Sequence, residues 1–315
     1  MSTGIGNVQA TTDNVLSNMV VGFRNQAYQL QGIVMPIISS AKRKGSYWLF
    51  GKEAFQDEAE YIGSTGESPR LTRNLTEGTF TLKPIGAAIE NSWDVADEAP
   101  QIVKNQMQSS EYVTDKMMLK LERLIASTLT TTGNWTTTTA ISSGSEWDTA
   151  GGGDPLGFFE TAALAIYDLI GVPAEELTTV LPYKVGRCLR KHPQLRDYLK
   201  FMNGTAPSIV TPDMIAEIIG YKRVIISKAQ YNTALKGLTA SLSGMMSDTV
   251  WVGYCPDRPA IMAPAAGYSL ELEGEQMIRT YIESKNRRDV IDGVKHIGVE
   301  ITCADAGYTG TNCLA

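Results

Sequence analysis

The sequence predicts an α+β chain in which a long two-stranded ribbon and one long helix precede a separately capped α+β unit. Three observations carry that prediction. Two segments, SYWLFGKEAF and TFTLKPIGAAIENSW, read as strands because aromatic and β-branched residues recur at short spacing, and they flank the polar stretch EYIGSTGESPRLTRNL, residues 60–75. The run SSEYVTDKMMLKLERLIASTL contains neither Gly nor Pro and holds an apolar face at helical period. Asp154 followed by Pro155 is an N-cap with proline at the first helical position, and Gly171 is placed to close the helix that follows.

In chain order, residues 1–45 hold short apolar patches, VLSNMVVGF and LQGIVMPII, and end in the basic cluster Lys42, Arg43, Lys44. They read as an arm laid over other surfaces. The ribbon spans 46–90, with an acidic stem (Glu53, Asp57, Glu58, Glu60) and a mixed tip (Glu67, Arg70, Arg73, Glu77). Ordinary hairpin loops run to about five residues, and an isolated two-stranded ribbon is marginal in water. Something outside the ribbon must therefore hold it.

In the long helix, Ser109 or Ser110 is the predicted cap, and Val113, Met117, Met118, Leu121, Leu124 and Ile125 form one wide face for the protein's own sheet. Tyr112, Leu119 and Ala126 form a narrower strip opposite, bordered by Lys116, Arg123, Asp115 and Glu122. That strip is either scattered surface hydrophobes, which are normal, or a contact with another subunit. Residues 130–154, rich in Thr, Ser and Gly around two tryptophans, read as a boundary. The unit at 154–265 alternates helices with the strands TTVLPY, KRVIIS, DTVWVGY and PAIMAP. The chain then returns to extended structure in QMIRTYIES and HIGVEITCADAG, where Ile297, Val299, Ile301 and Cys303 alternate as one buried face.

Composition narrows the function classes. With 28 basic and 34 acidic residues the net charge is -6, which disfavours a broad electrostatic grip on nucleic acid. The N-terminus lacks the basic and apolar regions of a secretory signal, and no apolar run approaches the roughly twenty residues that span a bilayer, so the expectation is a soluble protein made in the cytosol, with no membrane partner. The four cysteines show no C-x-x-C spacing and read as buried or incidental thiols.

Catalytic patterns were sought. The two histidines, His192 and His296, rule out H-E-x-x-H zinc chemistry, and there is no G-x-S-x-G elbow. Gly51 and Lys52 precede Glu53 where a phosphate-binding loop needs Ser or Thr. The acidic stem reads as a solvated face. The reading is of a non-enzyme without cofactor or metal.

The order of arm, long polar ribbon, long helix, link, capped α+β unit and returning strands resembles the major capsid protein of tailed bacteriophages, the Hong Kong 97-type fold. The residues that carry the resemblance are the stretch from SYWLFGKEAF to NSWDVADEA, the long helix, EWDTAGGGDPLGFFETAALAIYDLIG and VLPYKVGRCLRKHPQLRDYLK. It implies an N-terminal arm (1–45), an extended loop (46–90), a peripheral domain with a spine helix (91–153 and 266–315) and an axial domain (154–265). It further implies self-assembly into pentamers and hexamers of an icosahedral head that encloses double-stranded DNA without sequence-specific binding, built in the host cytoplasm and ending in the virion. The expected inter-subunit contacts set Lys42, Arg43, Lys44, Arg70 and Arg73 against Glu53, Asp57, Glu58 and Glu60, with Glu67 at the tip and Tyr112 and Leu119 on the helix.

Two departures from the family refine this expectation. The ribbon starts too near Met1 for a built-in scaffold segment, so a separate scaffolding protein is implied beside the portal protein. The tip GSTGESPRLTRNL has no lysine for the family's loop cross-link, so non-covalent shells, or a decoration protein, are implied. The nearest rival is an encapsulin-like nanocompartment shell of the same fold. An enzyme with an unrecognised site and a tail or fibre protein are the readings from other classes.

Overall fold

A computed structural model describes residues 11–12, 28–49, 51–52, 56–59, 61–62, 67–70, 76–93, 102–149, 153–203, 210–235, 237–259, 263–275 and 278–315. The first part of the chain supplies β1 (Thr11–Thr12), β2 (Ile37–Ser40), β3 (Lys44–Leu49), β4 (Thr76–Thr81), β5 (Lys83–Ser92), α1 (Ile102–Thr130) and β6 (Thr137–Ala140). The middle supplies α2 (Pro155–Ile170), β7 (Leu177–Pro182), α3 (Tyr183–Leu189), α4 (Pro193–Asn203) and α5 (Pro212–Ile219). The remainder is extended: β8 (Arg223–Ser227), β9 (Gln230–Asn232), β10 (Leu242–Gly244), β11 (Val250–Tyr254), β12 (Gly267–Leu272), β13 (Ile278–Glu283), β14 (Arg288–Ile301) and β15 (Gly307–Thr311).

Two sheets organise these elements. In the first, β14 carries β5 antiparallel along Arg288–Ile297 on one edge, while β13 and β12 share its other edge end to end. β2 adds in parallel to β12, and β1 pairs antiparallel with β13. Helix α1 lies on this sheet, and Gly293 permits the approach: a Cβ there would sit 2.5 Å from Val113 Cγ1 and 2.8 Å from Met117 Cε. The second sheet has the order β6-β15-β11-β7-β8. β7 is buried at every position, as expected of a strand covered on both faces. The 154–265 unit is capped as its sequence predicts. The Asp154 side chain accepts from Gly157 N, Thr211 from Met214 N, and Gly171 and Gly220 close α2 and α5 in the left-handed region.

Several expectations need correction. The long helix begins at Ile102, ahead of the predicted serine caps. Ser110 Oγ instead donates to Met107 O within the helix, and Ser109 pairs with Asn91 of β5. Leu124 is exposed where core was predicted, and Ala126 is fully buried where surface was predicted. The ribbon ends at Thr81: residues 83–90, read as its continuation, are β5 and belong to the first sheet. The described residues of the polar stretch, 130–149 and 153–154, are anchored structure and not a bare link. Trp135 Nε1 donates to Leu129 O at 3.0 Å, Trp147 is buried, and β6 pairs in parallel with β15. Through β15 the C-terminal segment also returns to the second sheet. The predicted strand PAIMAP has residues 260–262 outside the described ones.

Gly307 shows how tightly the second sheet is packed. A Cβ there would meet Trp135 Cε3 at 2.2 Å, whereas one at Gly133 would meet nothing within 4 Å. Overpacking of this kind costs about 1–3 kcal/mol. Gly307→Ala should lower stability by that amount in a denaturant melt, with Gly133→Ala close to neutral.

Candidate assembly surfaces

The ribbon is held at its base and open beyond it. β3 and β4 pair antiparallel from Lys44↔Thr81 to Leu49↔Thr76. At the base, Leu82 N donates to Arg43 O, Tyr47 OH donates to Ile301 O of β14 at 3.1 Å, and Phe80, Leu82 and Leu270 form a small core with Tyr47, Ile38 and Leu272 packed on it. Further out, Lys52 Nζ reaches Asp305 at 3.0 Å. Past that ion pair the described residues 56–59, 61–62 and 67–70 are all exposed, Tyr61 and Ile62 included.

The predicted contact residues fall out as follows. Lys42, Arg43 and Lys44 are exposed at the ribbon's root, and none of the three forms an ion pair among the described residues. Asp57 and Glu58 are exposed on the outer ribbon, and Glu67 pairs with Arg70 at 2.9 Å within the same tip. Such an exposed pair is worth about 0–1 kcal/mol. Glu53, Glu60 and Arg73 lie outside the described residues. Tyr112 is exposed on α1, with Lys116 Nζ 4.9 Å from its ring centroid. Leu119, predicted beside it as surface, is half-buried against the protein's own core.

What covers the far side of α1 is the chain's own arm, and the residue that binds it is one the sequence reading placed at a solvent border. Glu122 is fully buried. Its Oε1 accepts from Gln29 N and Leu30 N, both at 3.0 Å, and its Oε2 accepts from Gln31 N at 3.2 Å. Tyr28 OH donates to Asp115 at 3.0 Å, and Gln31 Nε2 donates to Met118 O at 2.7 Å. Leu30, Val34 and Met35 complete the seal as fully buried core. Residues 28–35 have few backbone partners of their own, so a buried carboxylate supplies the acceptors that their amides need. Burial pushes the Glu122 carboxyl above its ordinary value, against the opposing pull of those amide hydrogen bonds.

No family model and no curated protein matches the sequence. Solved structures do match. A phage-related protein from Bordetella bronchiseptica superposes with a TM-score of 0.77 at 21% identity, over 96% of this chain and 98% of that one. The capsid structure of the cyanophage P-SCSP1u gives 0.57 at 11% identity, over 98% and 94%. The fold is the Hong Kong 97-type of phage capsids. A virus-like particle from Pyrococcus furiosus shares it, with a TM-score of 0.52 at 9% identity over 93% and 95%. At these identities the likeness is one of fold. Among the described residues, the outer ribbon is exposed and residues 28–35 are clasped against α1.

The clasp has a measurable signature. Glu122→Ala leaves buried amides without an acceptor, at about 1–3 kcal/mol for the first alone, so a loss of about 3 kcal/mol is expected. Because the folded carboxyl is raised, its protonation-linked stabilisation is full below the unfolded value of 4.5 and fades as pH climbs through the folded value. In melts across pH, the deficit of Glu122→Gln relative to the parent should be largest at acidic pH and shrink toward neutrality.

Proposed function

We propose that this chain is the shell-forming subunit of a tailed-phage head. Copies assemble as pentamers and hexamers into a closed icosahedral capsid around double-stranded DNA. The observation that carries the reading is the match, over nearly the whole of both chains, to a phage-related protein, in a molecule whose ribbon extends past its last internal anchor with every described side chain exposed. On this reading the ribbon is the extended loop, the first sheet with α1 is the peripheral domain, and the second sheet with its helices is the axial domain. The ribbon gains its order on neighbouring copies, so the shell is held by many weak contacts repeated around a closed surface. A net charge of -6 suits a container that does not trap the polymer it encloses. A separate scaffolding protein, a portal protein and a decoration protein are the partners this role calls for, with assembly in the host cytoplasm.

The fold shared with the Pyrococcus furiosus virus-like particle supports a second reading, a compartment shell around protein cargo. Negative-stain imaging of the expressed protein, alone and with its genomic neighbours, should show closed shells. Nuclease-protected DNA inside them supports the head, and a packaged enzyme supports the compartment. A protein that stays monomeric under all these conditions overturns both. Reversing Arg70 and Arg73 to Glu together should reduce the yield of shells at least several-fold while the subunit's melting temperature stays unchanged; parental yield would remove the ribbon tip from the contacts.

A further inference from the structure

The strand that runs from the ribbon into the first sheet is paired on one edge at a time. Leu82 N donates to Arg43 O in the β3–β4 register, so the even-numbered residues from Thr76 to Leu82 turn their backbone groups to β3. Trp93 N donates to Arg287 O at 3.1 Å in the β5–β14 register, so the odd-numbered residues of β5 bond to β14. The even-numbered edge, which β3 takes along the ribbon, is therefore open along β5. Gly86, Ala88, Glu90 and Ser92 turn backbone N–H and C=O groups to it, all four residues are exposed, and no described strand pairs with them there. Such edges are usually blunted by proline, a charge or a bulge. Here Pro84 guards one end, and Gly86, Ala87, Ala88 and Ile89 pair with β14 in unbroken register and carry no charge.

Two cations of α1 stand on the β5 side of the helix. Ser109 hydrogen-bonds Asn91 of β5, and Met117 lies against Gly293, which pairs with Ala87, so the helix follows the strand from residue 91 toward residue 85. At about 100° per residue, Lys116 and Lys120 fall within about 20° of Ser109 around the helix. Both are exposed, and neither makes an ion pair among the described residues. Asp115 and Glu122 are turned to the arm instead. A phosphate chain would answer the lysines and the amides, but it offers no donors to the edge carbonyls. An acidic strand answers all three. The ribbon stem is such a segment: Gln56, Asp57, Glu58 and Ala59 are exposed, and neither acid has an ion pair among the described residues. Glu58 and Glu60 are two apart in sequence, which in a strand sets them on one face about 7 Å apart, close to the about 6 Å between Lys116 and Lys120 along the helix. We propose that the acidic ribbon stem of a second copy adds as a strand to the open edge of β5, with its carboxylates on Lys116 and Lys120. The choice of a second copy rests on the shell reading, while the edge and its lysines belong to one subunit.

The test titrates a fluorescent peptide of residues 53–62, EAFQDEAEYI, with the full-length protein, at concentrations below those at which sedimentation shows assembly, and follows anisotropy. Saturable binding is expected. It should weaken at least ten-fold in Ala88→Pro, which removes an outward amide and leaves the bonds to β14 in place. It should weaken at least five-fold in the double variant Lys116→Glu with Lys120→Glu, with both variants melting as the parent does. A peptide carrying Glu58→Lys and Glu60→Lys should prefer that double variant to the parent, and a scrambled peptide of the same composition should bind the parent at least five-fold more weakly. Should Ala88→Pro lower the melting temperature, the lysine pair and its charge swap decide alone. No saturable binding, equal binding of the scrambled peptide, binding untouched by Ala88→Pro in a variant that melts normally, or no reversed preference in the charge swap each overturn the proposal. These results are read on single subunits, so they leave the shell reading to imaging, where the absence of closed particles counts against that reading alone.

Discussion

The contact on which the architecture depends is the seat of α1 on β14. A helix normally packs on a sheet with side chains filling the gap between them. Here the missing side chain of Gly293 lets Val113 and Met117 settle against the strand backbone itself. β14 is also the strand that β5, β12 and β13 share. One strand therefore sets the position of the helix, of β5, β12 and β13 and, through the Tyr47 bond to Ile301 O, of the ribbon's root. A side chain at Gly293 would be felt in all three places, because packed interiors transmit small displacements instead of absorbing them.

The ribbon and the second sheet follow opposite rules. The second sheet hides its strands under aromatic rings, Trp135 against Trp251 and Phe158 against Tyr308, with glycines where the rings lie closest to the backbone. The ribbon carries its polar connection away from any such cover, and two strands alone do not provide a core. Its root is fixed by a small apolar cluster and one ion pair, and the described residues 56–59, 61–62 and 67–70 bury nothing. Burial and exposure are thus separated among the described residues, with the packed sheets on one side and the exposed ribbon residues on the other.

Much of this was legible in the sequence, for local reasons. The caps at Asp154, Thr211, Gly171 and Gly220 are read correctly because a cap needs only its own turn. The ribbon's two strands and the returning strands were visible from residue type alone. What failed was whatever a distant segment decides. The helix start was misplaced because Ser109 has a partner in Asn91 of β5 and has no need to cap. The stretch around Trp135 and Trp147 looked like a link because its burial comes from β15 and α2, far along the chain. Among the predicted contact residues, Asp57, Glu58, Glu67 and Arg70 are exposed, but Leu119 packs against the core. Glu122 was missed because a glutamate between charged neighbours has every local mark of surface.

Glu122 also decides which segment is free to reach outward. A buried carboxylate is a weak source of net stability, because desolvation opposes what its hydrogen bonds contribute. Its value lies in register: it accepts from three consecutive amides, and a slip of one residue along the arm breaks the set. The strength comes from Leu30, Val34 and Met35, each worth about 1.5–3 kcal/mol when buried. Register and burial together make residues 28–35 a fixed part of the folded body. An arm so fastened cannot lend those residues to a neighbour without giving up the cover of its own helix. The described ribbon residues beyond Lys52 are the opposite case: they are exposed, and their one ion pair, Glu67 with Arg70, lies within the tip itself.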